Sequence, residues 1–199
     1  PLHVAPGTAD AARRHIEFLL PQLRLVYQQR QVCAQSIEGL LTQLSEEKSH
    51  VTEGVRPSDV EILRSFPGVG KVVCATVFGE ASTPLRERDY PNFRAVAGIA
   101  PVTKQTGKQG KPGSGRRVSV SMRRACSLQL RKAMYHWARV SAQRDESSKR
   151  QYSAFRERGH THGRALRGVA DRLLRILFGA LRSGTLYQPD IKAKAEGSA

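Results

Sequence analysis

The chain has 199 residues, with 33 Lys and Arg against 17 Asp and Glu, a formal net charge of +16. Hydrophobic residues make up 39% and aromatics 6%, so the core has to come from Leu, Val, Ile and Ala, which excludes wholesale disorder. No apolar run approaches the ~20 residues of a membrane span, and a surplus of positive charge this large points to nucleic acid ahead of a membrane surface.

The charge is unevenly placed. Residues 1–63 hold six basic and eight acidic residues, a net of −2, whereas the remainder holds 27 basic and 9 acidic, a net of +18. Between Asp89 and Asp145 there is no acidic residue. Such a one-signed stretch reads as a field for a polyanion rather than a mixed, solvated face. Pro1 opens the chain without a basic n-region or an apolar h-region, so no signal peptide is expected. Lacking an initiator Met, the sequence reads as a piece of a longer protein, and its cysteine usage fits a reducing compartment. Cys33, Cys74 and Cys126 are odd in number, far apart and outside any Cys-x-x-Cys. They are expected as small buried apolar residues, and no metal site is expected.

From about Thr8 to Ser49, Ile16, Leu23, Arg30, Ile37 and Leu44 recur every seven residues. Leu19/Leu20, Val26/Tyr27, Cys33/Ala34 and Leu40/Leu41 follow three and four later. This a/d/e stripe predicts a long helix that pairs in a coiled coil or packs on its own domain. Pro21 predicts a kink or a boundary. After a short linker, Ser58 and Glu61 read as a capping box opening a helix that ends at Ser65. Phe66-Pro-Gly-Val-Gly-Lys71 follows, then an apolar helix 72–81 broken at Thr83-Pro84, and a helix started by Pro91 and ending by Gly98. Residues 99–120 read as a glycine-rich loop, with Val102 and Val118/Val120 as possible strand ends. A basic helix is expected from Met122 to Gln143, a shorter one from Ser147 to Arg158, and a last one from Gly163 to Ser183, closed by Gly184. The architecture is mainly α. It divides into a coiled-coil segment 1–56, a compact helical domain 57–190 with a helix-hairpin-helix element and a basic Gly-rich loop, and a disordered tail 191–199.

Phe66-Pro-Gly-Val-Gly-Lys71 between two helices has the helix-hairpin-helix pattern. Gly68 and Gly70 permit a tight turn that brings amides to a phosphate, and Lys71 adds a charge. An ordinary glycine turn between core helices is the alternative. In 103–117, Lys104, Lys108, Lys111, Arg116 and Arg117 sit among glycines, and Arg123, Arg124, Arg131 and Lys132 extend the patch. Such a loop wraps a phosphodiester. Thr106, Ser114, Ser119 and Ser121 are candidate hydroxyl nucleophiles within it, or the loop only binds. His160 and His162 read as loop or cap histidines rather than ligands.

These residues, with Ile62-Leu-Arg-Ser ahead of the glycine turn, Ala97-Gly-Ile-Ala-Pro-Val-Thr103, Met122-Arg-Arg-Ala-Cys126, Leu130–Arg139, Tyr152–Arg167, Val169–Leu174 and Gly184-Thr-Leu-Tyr187, resemble the C-terminal transposase domain of the IS110 insertion-sequence family. The resemblance covers about residues 58–190. It implies a DNA recombinase whose separate RuvC-like N-terminal domain binds Mg²⁺ through four acidic residues, with no cofactor in the part present here. It also implies a structured guide (bridge) RNA, DNA as substrate, and homo-oligomers joined through the coiled coil. The family's nucleophile is a serine in Ser-Gly-Lys after Gly-x-x-Pro. Here Gly98-Ile-Ala-Pro101 is followed by Gln105-Thr106-Gly107-Lys108, so Thr106 stands at the serine position, with Gly107 and Lys108 completing the motif. From another class, a non-catalytic helix-hairpin-helix module that clamps nucleic acid uses the same residues.

Overall fold

The computed structural model describes residue 5 and residues 7–49, 56–106 and 117–189, with the backbone alone for 47–49, 104–106 and 117–119. Two compact units are present, Pro1–Thr42 and Gln43–Ala199.

Helix α1 (Thr8–Ser49) is continuous through Pro21, so the boundary expected there is absent. A proline removes one donor and crowds the preceding turn, and the good helix formers on either side carry the helix past it. In the first unit the expected stripe lies on the surface: Ile16, Leu19, Leu20, Leu23 and Val26 are all exposed. Cys33 is exposed as well, against the expectation of burial, whereas Cys74 is buried and Cys126 lies between.

In the second unit, α2 (Asp59–Arg64) opens on the expected capping box. Ser58 Oγ accepts from the Glu61 amide, and Glu61 Oε2 accepts from the Ser58 amide at 2.6 Å. The apolar helix is α3 (Lys71–Glu80). Thr83-Pro84 does not simply end it, because the pair lies in a further short helix, α4 (Ser82–Arg86). Proline is tolerated in a first turn, where its missing donor has no partner to lose. The same rule places Pro91 at the start of α5 (Tyr90–Val96).

Residues 99–120 are more regular than a loop. Strands β1 (Pro101–Thr106) and β2 (Arg117–Met122) pair antiparallel, from Pro101 opposite Met122 to Thr106 opposite Arg117. The alternation Val118-Ser119-Val120-Ser121 carries the period-two signal, and the glycines between the strands mask it in composition. Met122 therefore ends a strand instead of starting a helix. α6 (Leu128–Arg144) begins six residues later, where the Ser127 hydroxyl accepts from the Leu130 amide and donates to Glu80. Arg123 and Arg124 consequently lie in the connection, not on the helix.

α7 (Glu146–Glu157) and α8 (His162–Ser183) complete the unit. Leu166, Val169, Leu173, Leu174 and Leu177 on α8 are buried with Leu130, Met134 and Trp137 of α6. This stripe, at spacings of three and four, is the core face the periodicity implies. Gly184 ends α8 with φ 67, the left-handed cap that glycine adopts without a Cβ penalty. The expected tail 191–199 lies outside the described residues.

Candidate nucleic-acid interface

The turn between α2 and α3 is held from behind by α6. The Trp137 indole and the Ser141 hydroxyl both donate to the Pro67 carbonyl, at 3.1 and 2.6 Å. Phe66 is buried edge-on against Trp137 at 5.7 Å, and Tyr187 covers it from the other side at 4.6 Å. Gly68 takes φ +82, and a Cβ built on it lies 3.1 Å from Val140 Cβ and 3.2 Å from Ser141 N, a tight fit in a backbone that favours glycine. Gly70 caps α3 with extended backbone and offers no side-chain acceptor to the first amides. Those amides open a ten-residue helix with no acidic residue in its first turn, beside exposed Gly70 and Lys71. Orphan amides of this kind favour an anion.

The second element is the hairpin. The register sets Thr106 opposite Arg117 and Lys104 opposite Ser119 at its outer end. Gly107, Lys108, Lys111, Arg116 and Ser114 lie outside the described residues. At its base, Ser127 N donates to Val96 O, which ties the return strand to the end of α5. Gly98, φ +67, lies against Arg131 and Cys126. The turn and the hairpin base thus rest on one helix: the first on Ser141, the second on Arg131. Ten residues separate these two, about 15 Å along the axis at 1.5 Å per residue.

Around the hairpin base the arginines outnumber their partners. The Arg131 guanidinium donates to Arg123 O and Cys126 Sγ, yet its Nε, like that of Arg123, is buried with no acceptor. Arg167 donates to the thioether of Met122, at 3.4 Å. Burial first, and then repulsion from Arg164 and Arg131, holds Arg167 below its ordinary pKa. The nearby carboxylate, Asp171, is taken: Arg94 binds it twice, at 2.5 and 2.9 Å, and Tyr90 donates to it at 2.9 Å. His160 is held below its usual range, by burial and then by the charges of Arg164 and Arg158. His162 bridges two tyrosines, Tyr135 at 3.2 Å and Tyr152 at 2.8 Å. Among the described residues, no three His, Cys, Asp or Glu side chains come together to hold a metal ion.

Residues 60–153 match the transposase family described as IS116/IS110/IS902. Over that stretch the chain is similar to the IS110 transposase family. It is 29% identical to the uncharacterized 43.6 kDa protein of insertion element IS110 from Streptomyces coelicolor, across 97% of this chain and 42% of that protein. Against the uncharacterized 42 kDa protein of IS900 from Mycobacterium paratuberculosis it is 28% identical, covering 78% of this chain and 38% of the relative. The uncharacterized 44.8 kDa protein of IS116 from Streptomyces clavuligerus is also 28% identical, over 94% of this chain and 45% of its own length. The chain therefore spans less than half the length of these curated relatives.

The part matched to the IS110 family takes in both the glycine turn and the hairpin. Arg164 and Arg167 were not singled out by sequence reasoning. The signal that finds them is a short acid-free stretch, 158–170, which carries Arg158, Arg164 and Arg167. No helix among the described residues is long and apolar enough to cross a membrane.

Proposed function

We propose that this chain is the nucleic-acid-binding and strand-transfer part of an IS110-family DNA transposase, and that Thr106 supplies its nucleophile. The observation that carries the reading is the Gly98–Lys108 motif: Gly-x-x-Pro leads directly into β1, and Thr106 ends that strand opposite Arg117. The proposed nucleophile thus ends a strand just before a segment whose sequence is rich in cations. The Thr106 hydroxyl attacks a DNA phosphorus, the new O–P bond forms, the bond to the DNA 3′ oxygen breaks, and that oxygen leaves with a proton. The enzyme holds the 5′-phosphoryl group, while Lys108, Arg116 and Arg117 stabilise the charge on the phosphorane.

The uncapped start of α3, with Gly68, Gly70 and Lys71, grips a phosphate some way along the same DNA as a helix-hairpin-helix element. Such contacts set position without reading bases. Lys104, Lys111, Arg123 and Arg124 extend the basic track. A structured guide RNA is the second polyanion, and copies of the chain join through the stripe on α1. The Mg²⁺ implied by the family belongs to an acidic RuvC-like domain.

The test uses the protein completed with its metal-binding domain, Mg²⁺ and guide. Thr106→Ala abolishes the covalent protein–DNA adduct, a loss of several orders of magnitude, while DNA affinity stays within a few-fold. Thr106→Ser keeps or raises the rate, because removing the branching methyl frees the attacking oxygen. An unchanged adduct in Thr106→Ala transfers the role to Ser114. A parent and a Thr106→Ser variant that both bind DNA yet form no adduct leave the non-catalytic clamp as the function.

A further inference from the structure

Under the hairpin base lies a cavity of about 230 Å³, walled by Met122, Tyr135, Leu166 and Ala170, with Arg131 and Arg167 at its edge. It is smaller than the roughly 300–1,000 Å³ of pockets for drug-sized ligands. A second hollow of about 340 Å³ opens beside it, lined by Arg94, Arg164, Arg167 and Ser121. Gly98, Ile99, Met122 and Arg167 border both. An apolar slot with an aromatic wall therefore adjoins a cationic shelf, and the two chemistries meet at one guanidinium.

Asp171 also lines the shelf, but its carboxylate is already committed. Asp171 is bound by Arg94 and Tyr90, and among the described residues no carboxylate pairs with Arg131, Arg164 or Arg167. Like charges are held close here, two of them with part of their hydrogen-bonding capacity spent on sulfur. A group that is flat and apolar at one end and anionic at the other satisfies both halves. In a nucleic-acid-binding protein, that description fits one nucleotide.

We propose that this paired cavity captures a single unpaired nucleotide, its base seated against Tyr135 and Met122 and its phosphate on Arg131, Arg164 and Arg167. The inference rests on the reading that the chain binds nucleic acid. A base inside a paired stack cannot enter a slot beneath a hairpin, so the occupant is bulged, everted or single-stranded. Tyr135 is fit to serve as a stacking wall because its hydroxyl is tethered to His162, which is itself tethered to Tyr152. Stacking on an aromatic ring tolerates any base, so the site selects for lack of pairing rather than for sequence.

The experiment is a fluorescence anisotropy titration of the full 199-residue chain against four probes. These are a paired DNA duplex, the same duplex with one bulged 2-aminopurine, and the RNA counterparts of both. The bulged probes bind about fivefold tighter or more, the size of one stacked base, and 2-aminopurine emission changes saturably. Comparing the DNA and RNA arms identifies the source of the nucleotide.

Gly163 lines the slot and has open space where a Cβ would go. Gly163→Leu fills the slot without changing charge, and it brings bulged and paired affinities together while paired affinity holds. Tyr135→Ala, which removes the wall instead, acts as the second variant and also abolishes the preference. Equal binding of bulged and paired probes by the parent overturns the inference alone. So does a preference that survives in both folded variants, and so does displacement of the bulged probe by an acidic peptide but not by free nucleotide. Failure to bind any of the four probes overturns the nucleic-acid reading with it.

Discussion

Trp137 Nε1 donates a 3.1 Å hydrogen bond to the carbonyl of Pro67, seventy residues earlier in the chain. The bond fastens the glycine turn to the fully buried middle of α6. Ser141 donates to the same carbonyl one turn further on, so a single oxygen fixes the turn's distance and its rotation. The first amides of α3 inherit their position from that anchorage.

Gly68 and Gly70 accordingly respond differently to the same substitution. Gly68→Ala places a Cβ 3.1 Å from Val140 Cβ and 3.2 Å from Ser141 N, in a backbone at φ +82. The left-handed backbone costs about 1–2 kcal/mol, and the tight contacts add to it. Gly70→Ala meets nothing within 4 Å and has φ −93, so its cost stays below about 1 kcal/mol, that of a poorer N-cap. Urea unfolding at constant m-value separates the two. Equal midpoints for both variants would show that the turn is not seated on α6 as described.

Asp171 supports a pH prediction at the opposite side of the hairpin base. Its carboxylate accepts from Arg94 and from the Tyr90 hydroxyl. Burial first, and then the bond to Asp171, raises the Tyr90 pKa above its ordinary 10.0, against the opposing effect of Arg175. A group whose folded pKa is raised contributes stability that is complete below the unfolded value and is lost as pH climbs through the folded one. Wild-type protein therefore loses stability above pH 10, and Tyr90→Phe, which keeps the ring packed on Phe178, loses less over that interval. Asp171→Asn costs about 1–3 kcal/mol at neutral pH, since it weakens a charged hydrogen-bond pair to Arg94. Thermal melts across the alkaline range check both, and parallel loss in parent and Tyr90→Phe removes Tyr90 from the account.

The helices were legible because their determinants are local. Ser58 and Glu61 signal a start, Gly184 signals a stop, and the leucines of α8 recur on one face. The hairpin was less legible, since Gly and Pro between 107 and 115 outweighed the short alternation in β2. The arginine cluster at its base was not legible as a group. Arg94, Arg131 and Arg167 come from three helices, and whether a carboxylate neutralises them depends on Asp171 having been claimed already, which is a tertiary fact. The candidate nucleophile position came from a motif, and the strand pairing adds that Arg117 is its cross-strand partner.

The last prediction concerns α1. Ile16, Leu23 and Val26 are 62%, 67% and 60% exposed, although their heptad spacing is that of a seam. Leaving such a stripe in water forgoes about 25 cal/mol for each Å² of apolar surface that pairing would cover, which favours association between copies. Leu23→Glu combined with Val26→Glu keeps helix propensity and charges the seam, so light scattering at high concentration falls from an oligomer to the mass of one chain. Gln28→Glu, outside the stripe, leaves the oligomer intact. Arg30 occupies an a position, where a charge costs stability and sets register. Arg30→Leu therefore raises the melting temperature of the assembly and lets higher oligomers appear. A parent chain that is already a monomer at high concentration would show that the stripe serves a partner of another kind, and Arg30→Leu would then leave melting unaffected by protein concentration.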